Sequence, residues 1–595
     1  MRRVVPLVLA LSLLGSACSG DGDPGPDDQS SGGTPSASAS ATTPPTPAER
    51  LGLVEGWGPT TAELERAARL VGRMRLPDLA GQVIVAEWRG TAAPVEMVRN
   101  LHLGGVIAFA DNVASTQQIG AVNATLRRAV RRPWPLFLSV DQEGGIVERV
   151  KGDATRFPTF MSAGAAGDTE LTRRAAGASG AELRGLGFDV VFAPDADVTS
   201  GPGDPTIGSR SAGSDVETVA AQVGAAVEGY TGAAIVPVLK HFPGHGSVPQ
   251  DSHLTLPVQT RTRKQLGAVD LAPFAAAVEQ GVPAIMAGHI DVRALDPRVP
   301  ASMSKVLVTD TLRTRLGFQG LVVTDSLSMA GVQASYDAAH SAVQGLRAGN
   351  DVLLMPPSPA AARAGIVAAV KAGRLKRSRL EQAAARQIAL LLHYAGTPEQ
   401  RRGRAPGSGR AASRAISAAA LTVVAGPCTG RLVSGAVTPS GDPVAVANFS
   451  GAARSAGLTV LVRQAPPASL STAEPEPKRK KKESRKAYAQ RRRAWGKREK
   501  RRRSQLAAFV ASEDARLARG TGIGFTGYQD TPHDGEIAVA TNTPYVLGSL
   551  QAPVRIATYG DTPGAMSALV DVLLGKAPAP GSLPVEVAGA QREGC

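Results

Sequence analysis

IVPVLKHFPGHGSVPQDSH, residues 235–253, reads in two halves. Residues 235–241 form a short apolar, β-rich run that ends on Lys240 and His241. Beyond it, proline, glycine and serine interrupt any regular element, and the stretch closes on Asp251-Ser252-His253. Three of the chain's eight histidines lie between Lys240 and His253. A metal site, a proton-transfer site and a satisfied structural loop all fit that gathering. The rest of the chain has to decide.

The first half of the stretch belongs to a repeating pattern. Seven further runs look like it: VIVAEW (83–88), GGVIAFA (104–110), PLFLSVD (135–141), FDVVFAPDADV (188–198), AIMAGHI (284–290), LVVTDS (321–326) and DVLLMP (351–356). Helical patterns such as TRRAAGASGAELRGLG and LAPFAAAVEQG lie between them. Eight strand–helix units predict an α/β fold, a (β/α)8 TIM-type barrel with insertions, over residues 51–400. Active sites in such barrels gather where the strands end. Those ends carry Asp141, Lys240 with His241, His289 and Asp325.

RRGRAPGSGRAASRA, 401–415, reads as a linker. A smaller C-terminal α/β sandwich domain is expected over 416–595, with strands at LTVVA (421–425), VAVA (444–447), LTVLVR (458–463), IAVATN (537–542), VRIATYG (554–560) and LPVEV (583–587). Thr562-Pro563 opens a helix that Gly575 closes, by the proline-first, glycine-last asymmetry. The length of 595 residues and 43% apolar content suit a globular chain of more than one domain.

The net charge of +15 is local. Lys478 to Arg503 holds sixteen Lys/Arg and two Glu, so the remainder is close to neutral. This basic insertion, at about 468–506, interrupts the second domain as a solvated helix or a mobile arm. It is either a plain solvated surface or a face that attracts anionic wall polymers or lipid headgroups. Specific nucleic-acid binding is not expected, because charge alone reads no base.

The N-terminus, MRRVVPLVLALSLLGSACSG, has two arginines, an apolar run and small residues before Cys18. It resembles a bacterial lipoprotein signal over residues 1–18, with Cys18 taking the lipid, although glycine stands where leucine is usual. The alternative is ordinary signal cleavage and a free secreted protein. Residues 19–50 are a Ser/Pro/Gly-rich tether of roughly 30 Å root-mean-square span. The chain is therefore expected at the extracellular side of the membrane, or secreted. Cys428 and Cys595, the two remaining cysteines, are a candidate disulfide in that oxidising setting.

Residue chemistry narrows the opening question. The spacing of four between His241 and His245 matches a zinc pair on a helix, but Pro243 and Gly244 break a helix there. With no second ligand cluster in view, neither a metal nor an organic cofactor is expected. Asp251 two residues before His253 is able to hold an imidazole in one tautomer and tune it for proton transfer. Asp325 has two readings, a nucleophile for an anomeric carbon or the N-cap of the next helix.

SVDQEGGIVERV (139–150), TIGSRSAG (206–213), KHFPGHGSVPQDSH, AIMAGHI and VVTDSLSM, in this order, resemble glycoside hydrolase family 3. More narrowly, they are similar to its β-N-acetylhexosaminidase, NagZ-like branch, which the histidine-bearing loop marks. The resemblance implies Asp325 as nucleophile, His253 as general acid/base and Asp251 as its partner. It implies a sugar subsite lined by Asp141, Arg149, Arg210, Lys240 and His241. His245 is expected to shape the loop, and His289 is not expected to be catalytic. Two departures bear on the pocket: Ala212 stands where phenylalanine is usual, altering one wall, and Asp195 is an extra acid. The implied activity is a retaining exo-β-N-acetylglucosaminidase acting on peptidoglycan fragments. A phosphorylase, another family 3 β-glycosidase and a non-enzymatic wall-binding lipoprotein are the rivals.

Overall fold

The computed structural model describes residues 44–396 and 402–590. Cys18 and Cys595 lie outside them; Cys428 is disulfide-bonded.

All eight predicted runs carry strands: Ile84–Ala86, Gly105–Ala108, Phe137–Val140, Val190–Val191, Val236–Pro237 continued by Leu239–Phe242, Ala284–Ala287, Leu321–Thr324 and Leu353–Leu354. Nearly every residue in them is buried, as expected of parallel strands covered on both faces. Six form one parallel sheet, ordered from Leu353–Leu354 through Ile84–Ala86 to Val236–Pro237. Three more pair in parallel around Ala284–Ala287. Single parallel bridges join the two sheets at both seams, Asp195 with Lys240 and Val323 with Val352. Helices cover the outside; Thr169–Gly185 packs on Val216–Gly232, and Thr61–Gly72 on Arg377–His393.

A second sheet follows, with five parallel strands and Thr422–Ala425 antiparallel at one edge. One face of it packs Pro443–Ser455 and Pro563–Leu573. The other face, through Ala538, Ala540, Ala557 and Tyr559, meets Met161 and Ala165 of the first region. Thr562 caps Pro563–Leu573 by accepting from the Ala565 N–H, and Gly575 follows at φ +67°.

Several expectations fail here. VAVA (444–447) is helical, because Asp442 caps it and Pro443 occupies its first turn. LPVEV (583–587) is not a strand; the Pro584 carbonyl accepts from Ser214 N–H at 3.1 Å and ties this segment to the first region. Strands instead run at Ala436–Gly441 and Thr521–Thr526. The presumed linker 401–415 runs into a helix, Arg410–Ala420, that packs on Met161–Ala166, Thr169–Gly185 and Pro563–Leu573. The basic insertion is a helix, Arg485–Leu517, reaching beyond residue 506. Among the described residues, no helix is long and apolar enough to cross a membrane.

Candidate active site

The C-terminal ends of the parallel strands open into one cavity of about 150 Å³. Asp141 follows Phe137–Val140, and Lys240 and His241 lie within Leu239–Phe242. Asp325 follows Leu321–Thr324. Asp141, Arg149, Arg210, Lys240, His241, His253 and Asp325 all line this space. The structure thus brings together all the sequence-predicted sugar-site residues. Asp251 joins them through His253.

The floor is an ion-pair network. Lys240 Nζ lies 3.1 Å from Asp141 Oδ1 and 2.5 Å from Glu143 Oε1. Arg210 donates to both Glu143 oxygens at 2.8 and 2.9 Å, a bidentate fork. Burial alone would push the Glu143 carboxyl up; Arg210 and Lys240 outweigh it and hold it below the usual carboxylate range. Arg149 lies 3.8 Å from Asp141, and its guanidinium stacks 5.3 Å from the Phe109 ring centre. Gly144 and Gly145 allow the hairpin that carries Arg149. Both have positive φ, and a Cβ at Gly144 would sit 2.5 Å from the Pro158 carbonyl oxygen.

Asp195 and Asp197 hold His241 from below. Its Nδ1 lies 2.8 Å from Asp197 Oδ2 and 3.5 Å from Asp195 Oδ1. Burial opposes charge on this imidazole, but the two carboxylates win and push its pKa up to about 10. Burial and Asp195 push Asp197 up to about 8. Among the described residues, Asp195, Asp197 and His241 are also the grouping whose donor atoms fit around a metal, within 4.8 Å of one another. A ligand cluster around His241 therefore exists, contrary to the expectation from sequence. Asp197 is taken up internally, accepting the His241 and His245 backbone N–H groups; Asp195 has the Arg210 guanidinium at 3.2 Å, but neither of its oxygens accepts a hydrogen bond among the described residues.

Asp325 is half-buried and accepts from the Ser326 N–H at 2.7 Å. Burial would raise its pKa, but His289, His241 and that N–H bring it below the ordinary value. His289 is fully buried and satisfied, with Nδ1 2.7 Å from Ser302 Oγ and Nε2 2.9 Å from the Ser326 carbonyl. It supports the turn after Asp325 and does not line the cavity.

The loop after Phe242 brings the second carboxylate–imidazole pair. Asp251 Oδ1 accepts from both the His253 N–H at 2.8 Å and Nδ1 at 2.7 Å. His253 keeps 65% of its side chain exposed. Asp251 has its pKa lowered despite partial burial, through both hydrogen bonds from His253. His245 pins the loop, its Nε2 3.0 Å from Ser252 Oγ. It also borders the cavity, so it lies nearer the sugar space than a purely loop-shaping role implies. Ala212 is fully buried in the core and does not itself border the cavity.

Residues 74–390 match the glycosyl hydrolase family 3 N-terminal domain. The chain belongs to glycosyl hydrolase family 3. A family 3 member is a glycoside hydrolase, which fits the carboxylates and cations that line this cavity. The chain is 39% identical over 282 residues to "Beta-hexosaminidase A" of Pseudoalteromonas piscicida, covering 44% of this chain and 47% of that one. It thus spans about half the length of that relative. It is 33% identical over 361 residues to "Beta-hexosaminidase LpqI" of Mycobacterium tuberculosis, covering 59% and 87%. A solved family 3 beta-N-acetylglucosaminidase from Paenibacillus sp. superposes with a TM-score of 0.69 at 27% identity, covering 87% of this chain and all of that one.

Sequence reasoning missed two residues of this family 3 site. Glu143 joins Arg210 to Lys240, and its signal was an acid two residues after the strand-end Asp141. Asp197 orients His241, and its signal was a second acid two residues beyond Asp195.

Proposed function

We propose that the protein is a retaining exo-β-N-acetylglucosaminidase that removes terminal β-linked N-acetylglucosamine from peptidoglycan fragments. The supporting observation is that His253, oriented by Asp251, and Asp325 border one cavity whose floor is the Asp141–Lys240–Glu143–Arg210 network. We read the two regions as the family's (β/α)8 barrel and C-terminal α/β sandwich.

In the first step an Asp325 carboxylate oxygen attacks the anomeric carbon and the bond to the leaving oxygen breaks. Asp251 occupies Nδ1, so Nε2 of His253 gives the proton to that oxygen. In the second step Nε2 takes a proton from water, whose oxygen attacks the anomeric carbon and frees Asp325. Lys240, Arg210, Arg149 and Asp141 bind sugar hydroxyls with charge-assisted hydrogen bonds. No step calls for a metal or an organic cofactor. We further propose lipid attachment at Cys18, which mass spectrometry of the membrane fraction tests.

Nitrophenol release from the β-N-acetylglucosaminide and the β-glucoside, with and without phosphate, tests the reading. Release from the acetylated sugar alone supports it. Preference for the glucoside, or a sugar 1-phosphate product, replaces it with another glycosidase or a phosphorylase. Silence on every glycoside from folded protein leaves a wall-binding protein.

A further inference from the structure

The basic helix Arg485–Leu517 sorts its cations by side. Tyr488, Arg491, Trp495, Glu499 and Arg502 recur at steps of three and four residues, and none is exposed. The preceding loop lies against this side. Glu483 accepts from Arg491 at 2.7 Å, and the Glu474 carbonyl accepts from Trp495 Nε1 at 2.9 Å. The Leu470 carbonyl accepts from Arg502. Lys486, Arg493, Lys497 and Lys500 recur at steps of seven, four and three, so they share the other side. All four are exposed, and none makes an ion pair among the described residues. At 1.5 Å per residue this line is about 21 Å long. The KRKKK run at 478–482 begins on the opposite, loop-covered side, where the Lys478 carbonyl accepts from Arg491.

We propose that this line is a docking face for a linear, non-aromatic polyanion that repeats a phosphate or carboxylate along its length. Charge complementarity carries the attraction. The two aromatics level with this line, Tyr488 and Trp495, are turned under the loop, so they neither stack on nucleic-acid bases nor anchor at a lipid interface. Ala489, Gln490 and Ala494 flank the line and offer little to bury in hydrocarbon. Lys486, Arg493, Lys497 and Lys500, with exposed Arg501 beside them, form a narrow strip on a convex helix, which matches one polymer chain better than a bilayer. The face is independent of the glycosidase reading, because binding is measured without turnover.

The test uses the full chain with long-chain inorganic polyphosphate, compared with phosphatidylglycerol-containing vesicles and a DNA oligonucleotide at equal phosphate. Wild type should bind polyphosphate most tightly. The variant K486Q/R493Q/K497Q/K500Q should lose at least tenfold, and its slope of log affinity against log salt should fall by roughly 3. Glutamine keeps helix propensity, so the helix stays intact by circular dichroism. K264Q/R315Q/K371Q/R374Q, with the same charge removed from the first region's surface, should bind within about twofold of wild type, since diffuse surface charge is screened at these distances. Equal losses in both variants, no loss in the first, or tighter binding to vesicles or DNA would overturn the proposal.

Discussion

The two ends of the parallel strands use the same side chains to opposite effect. At the N-terminal ends, Asp351 accepts from Arg379 at 3.0 Å, Arg386 at 3.3 Å, Arg313 at 2.5 Å and the Val322 N–H at 3.1 Å. Asp189 is gripped in the same way by Arg127 and Arg184. All four lone pairs of Asp351 are used, each Asp189 oxygen holds one arginine, and both carboxylates are buried. At the C-terminal ends, Asp141, Arg149 and Asp325 keep capacity to spare and face a cavity. An acid–arginine contact thus marks a site only where a partner is left over for a ligand. Saturated contacts of the same residue types stabilise the fold.

That contrast is best broken by substitution at each end. Asp325→Ala should lower turnover of any glycoside by about 10⁴–10⁶ while leaving the thermal midpoint nearly unchanged. His253→Ala should cost roughly 10²–10⁴ on a natural disaccharide and much less on the nitrophenyl sugar, whose leaving group needs no proton. Comparing the two substrates separates acid catalysis from misfolding. Asp351→Ala should do the reverse, destabilising by about 3–5 kcal/mol in urea unfolding because three arginines lose their counter-ion. Turnover per folded molecule should hold.

Two smaller effects sharpen the comparison. Asp195→Asn removes one anion beside Arg210 and His241, and should raise KM about tenfold with kcat little changed. A larger drop in kcat than in affinity would move Asp195 into the chemistry. The pH dependence follows from Asp351, where burial raises the pKa but the three arginines outweigh it, so the folded value is depressed. Its stabilisation is present above the unfolded value of about 4 and is lost as pH falls through the folded one. The stability gap between wild type and Asp351→Asn should therefore stay flat near neutrality and narrow only in acid.

Periodicity made the first region legible, since parallel strands buried on both faces read as Val/Ile/Leu runs. The same rule misled at VAVA, where Asp442 and Pro443 were the stronger signal. Thr521–Thr526 was invisible because Gly522 and Gly524 dilute it. Gly524 is required there, since a Cβ would meet the His533 carbonyl oxygen at 2.6 Å. Ala436–Gly441 was hidden by Pro439. In the site, Asp141, Arg149, Arg210, Lys240, His241, His253 and Asp325 followed from strand ends and motifs. Glu143, which also borders the cavity, and Asp197 did not, because their work is to hold Arg210, Lys240 and His241, and an acid two residues from another is a weak signal of that.

The hairpin behind the sugar space has one further consequence. Glu148, next to Arg149, pairs with Arg156, which also pairs with Asp561 of the second region. Thr159 adds two hydrogen bonds to the Tyr559 carbonyl, both 2.9 Å. A chain cut after residue 400 would take one of its two carboxylates from Arg156, leave Thr159 without its acceptor, and bare Met161 and Ala165 to water. Evolution and the protein engineer then face the same constraint: the second region is inherited with the pocket, or the hairpin must find another brace.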